Sequence, residues 1–428
     1  MPMLPEPLRI ADFRLYWIAR FAAVLATMGM VVILGYQVYD VARADYGMSI
    51  REASFQIGLL GLVQFVPIAI LTPVAGWVAD RFERRAVALT ANAIDMSVAL
   101  ALAWFTTQDA LTLPMLFGFA ALHGIARVFV NPAMAAIAPN IVPAEILPNA
   151  IAMSSIAWQA GTVAGPAIGG FLYAAHPASP YWGAAAMMAV AMFALLPIRK
   201  VVPPPIAGKA HPVRQMADGL TYVRGHRFLL GAVTLDLFAV LLGGATAMLP
   251  VYARDILFVG TEGLGLLRAA PAVGAALVAL WYAWFPLKHN VGVKMLLAVA
   301  AFGAMTVLFG LSQSMILSLL ALALLGAFDM LSVYVRSSLV QLYTPDAMRG
   351  RVSAVSGLAI SASNELGEFR SGFAAAFLGP VVAVVAGGAV AMGIAGLWFY
   401  LFPELKNART FEPSETALAE AIMEENPA

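Results

Sequence analysis

The chain has 428 residues, of which 61% are hydrophobic and 11% charged, whereas soluble domains carry about 25% charged residues, so it is built to lie in lipid. A span needs ~20 mainly apolar residues, so twelve would take roughly 240 and leave short loops, which excludes a soluble enzyme on a single anchor. The net charge of +1, with no basic face or aromatic-interleaved basic patch, gives no place for a nucleic-acid partner.

In chain order, apolar stretches over residues 15–39, 57–78, 86–105, 111–130, 150–174 and 181–197 predict spans 1 to 6. A polar, proline-rich stretch over 199–227 follows as a linker. Stretches over 228–251, 264–285, 293–311, 315–335, 352–378 and 381–402 predict spans 7 to 12. The expected organisation is a bundle at 1–198, a linker at 199–227, a second bundle at 228–403 and a tail at 404–428. That tail is acidic at its end and can form a short helix. The first span is too long for a signal-peptide core and has no cleavage pattern after it, so it is read as retained.

Of the 25 Lys and Arg residues, 17 fall in the loops and tails on the side of the N-terminus, and only Arg43, Arg51 and Arg254 in the loops opposite. That bias places both termini in the cytoplasm. The sequence also repeats. An offset of 202 superposes Gly124 on Gly326, Pro143 on Pro345, Gly165 on Gly367, Gly170 on Gly372 and Phe171 on Phe373, and an offset of 204 relates Pro67 to Pro271 and Trp77 to Trp281. Two parallel six-helix halves follow, as in many transporters.

Zero cysteines remove disulfides, thiolate metal sites and cysteine nucleophiles. No HExxH, GxSxG or GxxxxGKS/T pattern occurs, so no metal site, cofactor or built-in ATP motor is expected. Transport then draws on an ion or substrate gradient, or on a partner ATPase.

Between spans 2 and 3 stands Gly76-Trp-Val-Ala-Asp80-Arg81-Phe-Glu-Arg84-Arg85, which resembles the G-x-x-x-D-R-x-x-R-R signature of the major facilitator superfamily. Glu83 replaces the usual glycine. The resemblance implies that Asp80 meets the cytoplasmic start of span 11 and locks the outward-facing state, with Arg127 on span 4 as its partner. Gly161-Thr-Val-Ala-Gly165-Pro166-Ala-Ile-Gly169-Gly170 on span 5 looks like half of the antiporter signature. Small residues there allow close helix contact and Pro166 bends the helix, so a hinge or a tight interface between the halves is expected. Residues 235–244, 345–352 and 363–370 are similar to the exporter branch that includes enterobactin, macrolide and lysophospholipid transporters.

A charge at the bilayer centre costs ~2.5–3.5 kcal/mol, so each one needs a partner or a task. The intramembrane candidates are Arg20, Asp95, Asp236, Arg268, Asp329, Glu365, Glu368 and Arg370. Glu365 lies ~20 Å above the start of span 11, near the midplane. Asn364, Glu365 and Glu368 share one helical face, and two carboxylates at i and i+3 in low dielectric favour a proton on one of them. Glu365 and Glu368 are therefore the proton-coupling candidates; a structural network neutralised by Arg268 or Arg370 is the alternative. Asp236, Asp329, Asn364 and Arg370 are candidate cavity residues, the two aspartates through the resemblance, and Asp95 reads as a helix-helix anchor. A carboxylate-lined pocket would favour cationic or zwitterionic amphipathic compounds.

The sequence thus predicts an all-α membrane protein of the major facilitator fold in a bacterial-type inner membrane. As the resemblance implies, it would be a monomeric exporter of a small amphipathic, drug- or siderophore-like compound, working by alternating access against protons and touching lipid all round. A lysophospholipid flippase is the nearest alternative. An intramembrane enzyme would need a nucleophile-base or metal constellation, and a scaffold would not need the span 11 carboxylates.

Overall fold

The computed structural model describes residues 5–201, 212–285, 287, 289–408 and 410, and side chains for most of them. Each predicted span coincides with a helix: Ala11–Ala44, Ile50–Arg81, Arg84–Thr107, Leu113–Ile141, Leu147–Ala175 and Ser179–Leu195 for spans 1 to 6. Span 7 covers Arg227–Ile256, and Gly260–Trp284, Val291–Leu311, Met315–Leu342, Asp346–Leu378 and Pro380–Leu401 form spans 8 to 12. Each helix overruns its apolar stretch at one or both ends, because a helix continues through interfacial polar residues while the backbone still gains its hydrogen bonds.

Local chemistry sets several starts. Span 2 opens with a capping box in which Ser49 accepts from the Glu52 amide at 3.3 Å and Glu52 accepts from the Ser49 amide at 2.8 Å, satisfying two donors that a helix start leaves open. Spans 11 and 12 meet at Gly379, whose φ of +86° is cheap only for glycine. Within the linker, the helix Pro212–Gly225 docks on span 11 through Asp218, 3.3 Å from Arg351. Residues 202–211 of the predicted linker and 411–428 of the predicted tail lie outside the described residues. The described start of the tail is one short turn, Pro403–Lys406.

Span 7 is broken. Its regular helix ends at Gly243, and Gly244 and Ala245 are followed by short turns and the π-helical Tyr252–Ile256. Carbonyls freed by such a break are costly in hydrocarbon unless the protein satisfies them. Three neighbours do so: Arg370 Nε donates to Leu241 O at 3.3 Å, Ser371 Oγ to Gly244 O at 2.9 Å, and Arg268 Nη1 to Thr246 O at 3.3 Å.

The two halves meet unevenly along their length. On the face opposite the arginine-rich loops, one apolar cluster runs through both halves, from Met30, Leu102 and Tyr181 to Leu249, Tyr252, Leu264 and Phe309. Towards the basic face it divides into a separate cluster in the first half, with Phe13, Tyr16 and Ile137, and others in the second, with Leu235, Met295, Leu339 and Trp398. The molecule is therefore closed at the opposite face and parted at the basic one.

Glycine pairs make that closure. A Cβ on Gly372 of span 11 would collide with the backbone of Gly58 on span 2, and one on Gly170 of span 5 would stand 2.5 Å from Thr261 O and 2.9 Å from Gly265 Cα on span 8. Gly170 and Gly372 are repeat equivalents, so the two contacts are copies of one design. Gly372→Leu should push spans 2 and 11 apart and cost about 1–3 kcal/mol. Cysteines replacing Phe55 and Phe373, whose rings lie 6.5 Å apart, are expected to cross-link with a short reagent, with a several-fold lower yield and a lower melting temperature when Gly372→Leu is added.

Candidate functional site

At mid-depth the closed region gives way to a cavity of about 380 Å³ between the halves, lined by Gln64, Arg268 and Glu368 among apolar residues of spans 1, 2, 7 and 8. Its floor is an ionic network. Arg127 on span 4 reaches Glu365 on span 11 at 3.5 Å, and the same nitrogen donates to Gln64 Oε1 on span 2 at 3.1 Å. Gly124, one turn away, lets spans 4 and 2 approach so closely, since its Cβ would sit 3.3 Å from Gln64 O. Glu368 pairs with Arg268 on span 8 at 3.8 Å. Gln64 and Arg268 are repeat equivalents at the offset of 204: Arg268 pairs with Glu368 directly, and Gln64 holds the arginine that reaches Glu365.

The structure thus joins Glu365 and Glu368 to separate arginines. Gly61 on span 2 makes this possible, because its missing side chain leaves room for Glu365 O and Glu368 Cβ, each 2.9 Å from where a Cβ would stand. Asn364, on the same helix, is exposed. Arg370 has no carboxylate partner among the described residues. Its charge faces the C-terminal end of the regular part of span 7 at Leu241 O, where the helix dipole is negative.

Asp236 and Asp329 lie elsewhere. They line a smaller cavity inside the second half, between spans 7, 9 and 10, with Val299, Phe302 and Ser332. Asp236 is ion-paired to Arg336, and both are buried. Sequence reasoning missed Arg336, which stands a hundred positions from its partner with no motif around it. In the first half, Asp95 and His123 form a buried pair at 2.6 Å between spans 3 and 4, the anchoring geometry expected of Asp95.

The motif after span 2 is spread over its surroundings. Arg84 Nη1 donates to Ala136 O at 3.1 Å and Arg85 to Leu196 O at 2.9 Å, stitching the loop to the ends of spans 4 and 6. Arg81 lies over the Trp77 ring at 4.9 Å. Glu83, in place of glycine, pairs with Arg85 at 3.4 Å and accepts from the Val201 amide. Nothing stands within 4 Å of a Cβ on Gly76, as expected where the halves are parted. The Asp80 side chain and those of Asp346 and Arg349 lie outside the described residues, and with them the expected contact to the start of span 11.

Two expectations need correcting. Arg127 does not serve Asp80 here: it is bound to Gln64, sixteen positions and roughly 24 Å along span 2 from Asp80. The span 5 glycines are chiefly a contact within one half, since Gly161, Gly165 and Gly169 face Val24, Leu25 and Gly29 of span 1, while Gly170 and the backbone at Pro166 and Ala167 reach span 8 of the other half. The carboxylates also leave less free negative charge than their number implied. Glu365, Glu368 and Asp236 each have an arginine, whereas Arg20 on span 1 has no carboxylate partner among the described residues.

Two six-helix halves around a charged central cavity define the class: a multi-pass membrane transporter rather than an enzyme. Residues 16–368 match the Major Facilitator Superfamily, and the chain belongs to that family. It is 27% identical over 417 residues to the Enterobactin exporter EntS of Escherichia coli O127:H6 (strain E2348/69 / EPEC), covering 95% of each chain. Among solved structures it resembles a D-xylose-proton symporter, with a TM-score of 0.70 and 16% identity over 92% of this chain and 98% of that one. It also resembles the nucleoside transporter NupG, with a TM-score of 0.72 and 13% identity over 92% and 99%.

Removing one member of a buried ion pair strands the other, at a cost of about 3–5 kcal/mol, whereas replacing both by apolar residues of similar volume is far milder. Asp236→Leu and Arg336→Met should each lower the melting temperature in detergent sharply, and the double variant should recover most of the loss.

Proposed function

We propose that this protein is an inner-membrane exporter, with both termini cytoplasmic, that moves a small amphipathic organic compound, drug- or siderophore-like, outward by alternating access in exchange for protons. The Lys and Arg bias assigns the basic face to the cytoplasm, so the conformation described is closed to the outside and open to the inside. Export is supported by the relatives named as enterobactin exporters. One chain holds the whole cavity, which fits a monomer bathed in lipid.

The observation that carries the coupling is the Arg127–Glu365 pair, 3.5 Å long, because it crosses from one half to the other. While Glu365 is ionised it ties span 4 to span 11. A proton taken up from outside cancels that attraction and releases Arg127, so the halves can rock with the proton aboard. At the cytoplasmic side the proton leaves, the pair re-forms and cargo enters. Glu368, held by Arg268 within the second half, is the second coupling candidate. When the cytoplasmic face closes, Asp80 meets the start of span 11, where a carboxylate is favoured by the helix dipole.

A substrate is first identified by testing a macrolide, a catecholate siderophore, a cationic dye and a lysophospholipid in a strain stripped of its own exporters. Export confined to the lysophospholipid and insensitive to an uncoupler would replace this reading with a flippase. In proteoliposomes, Glu365→Gln is expected to lower uphill export driven by a pH gradient by about tenfold or more while downhill exchange survives. If Glu365→Gln and Glu368→Gln both still concentrate substrate, coupling lies with Asp236 and Asp329. Asp80→Asn should preserve expression, lower transport and reduce cysteine cross-linking across the cytoplasmic face; unchanged cross-linking and transport would remove the gate.

A further inference from the structure

We infer that the cleft between spans 1, 4 and 5 binds an amphipathic organic anion and thereby sets the class of cargo. Its identity as cargo rests on the export reading above; the binding itself does not. The cleft spans about 390 Å³, part of it open, and is lined by Arg20, Thr27, Met28, Arg127, Asn131 and Trp158, with further apolar residues and no acidic one.

Arg20 is the unusual member. Its Nη1 donates to the Tyr16 hydroxyl at 3.1 Å, and that hydroxyl is in turn hydrogen-bonded to Ser154 at 2.9 Å. Its guanidinium lies 5.5 Å from the centre of the Trp158 ring. These contacts hold the group in place and explain why it does not simply extend to the lipid headgroups. They do not supply a counter-charge: no carboxylate pairs with Arg20 among the described residues, and its Nε is buried without a hydrogen-bond partner. Arg370 makes the contrast, since its Nε is spent on Leu241 O.

Arg127 adds a second guanidinium to the same wall, with its one carboxylate, Glu365, on the far side at span 11. Arg20 stands ~9 Å deeper along span 1 than the interfacial Arg14, and Arg127 near the middle of span 4, so the positive groups form a short ladder leading inward from the basic face. Guanidinium forks recognise carboxylate, sulfonate or phosphate oxygens. The Trp158 ring and the Met28 surface suit an aromatic or apolar body beside that anionic head. A cation meets two like charges in the same space. A soluble organic acid and an anionic lipid share this chemistry, and the test separates them.

The test uses the full chain in phosphatidylcholine nanodiscs and two probes of matched shape, naphthalene-2-sulfonate and 2-naphthyltrimethylammonium, with binding measured by equilibrium dialysis. The sulfonate should bind saturably and the ammonium should not. Arg20→Ala should weaken sulfonate binding about tenfold, Arg20→Lys less, because it keeps a charge and loses the fork, and Trp158→Leu severalfold. Melting curves identify any variant that has failed to fold, in which case Arg20→Lys and Trp158→Leu carry the comparison. Repeating the titration with phosphatidylglycerol in the disc assigns the occupant: competition that weakens in Arg20→Lys supports a lipid at the anion site, and no competition supports a soluble anion there. A folded Arg20→Ala variant with unchanged sulfonate affinity, or an ammonium that binds as tightly as the sulfonate, would overturn the proposal. The equilibrium is measured on the unchanged chain without a gradient, whereas the export reading is tested by uphill transport, so the two readings fail separately.

Discussion

Charge compensation in a medium that cannot solvate it governs this structure. Each ionised group within the spans costs a few kcal/mol unless something nearby answers it, and the answers determine which helices sit together. Arg336 answers Asp236 and thereby fastens span 10 to span 7. Arg268 answers Glu368 and fastens span 8 to span 11. Arg127 answers Glu365 and is the member of the set that joins the two halves. Two of these ties are internal to the second half and one lies between the halves.

The glycine contacts supply the complementary constraint. Lipid offers no hydrophobic drive for helices to associate, so they adhere through close packing of small residues. Gly58 against Gly372 and Gly170 against Gly265 bring spans 2 and 11, and spans 5 and 8, to near backbone contact. Gly170 and Gly372 are repeat equivalents, so the halves touch at two matched points. Arg254 with Asp40 at 2.5 Å and Asp255 with Tyr39 at 2.5 Å and Arg43 at 3.4 Å then join spans 7 and 1 at the rim opposite the basic face.

Much of the architecture was legible in the sequence because hydropathy, the loop arginines and the internal repeat all report local properties of the chain. The resemblance around Gly76 to Arg85 and on span 5 pointed to the family for the same reason. Partnerships were less legible. The link between Asp236 and Arg336 depends on how spans 7 and 10 are rotated, which no spacing along one helix reveals, and Gln64 carries no charge to draw attention to its place beside Arg127. Arg370 is the clearest case: its partner is the end of a helix rather than a residue, so searching the spans for acidic groups was bound to fail. Gly243-Gly244 was the available signal that a helix ends there.

That break has a mechanical meaning. The regular part of span 7 belongs to the second half through its packing on spans 11 and 12, while the portion from Thr246 to Ile256 is tied at Asp255 and Arg254 to span 1 of the first half. With Gly244 and Ala245 between them, the two portions are joined by a short non-helical step rather than a continuous rod, and that step is pinned from spans 8 and 11 by Arg268, Arg370 and Ser371. A single span thus carries contacts to both halves.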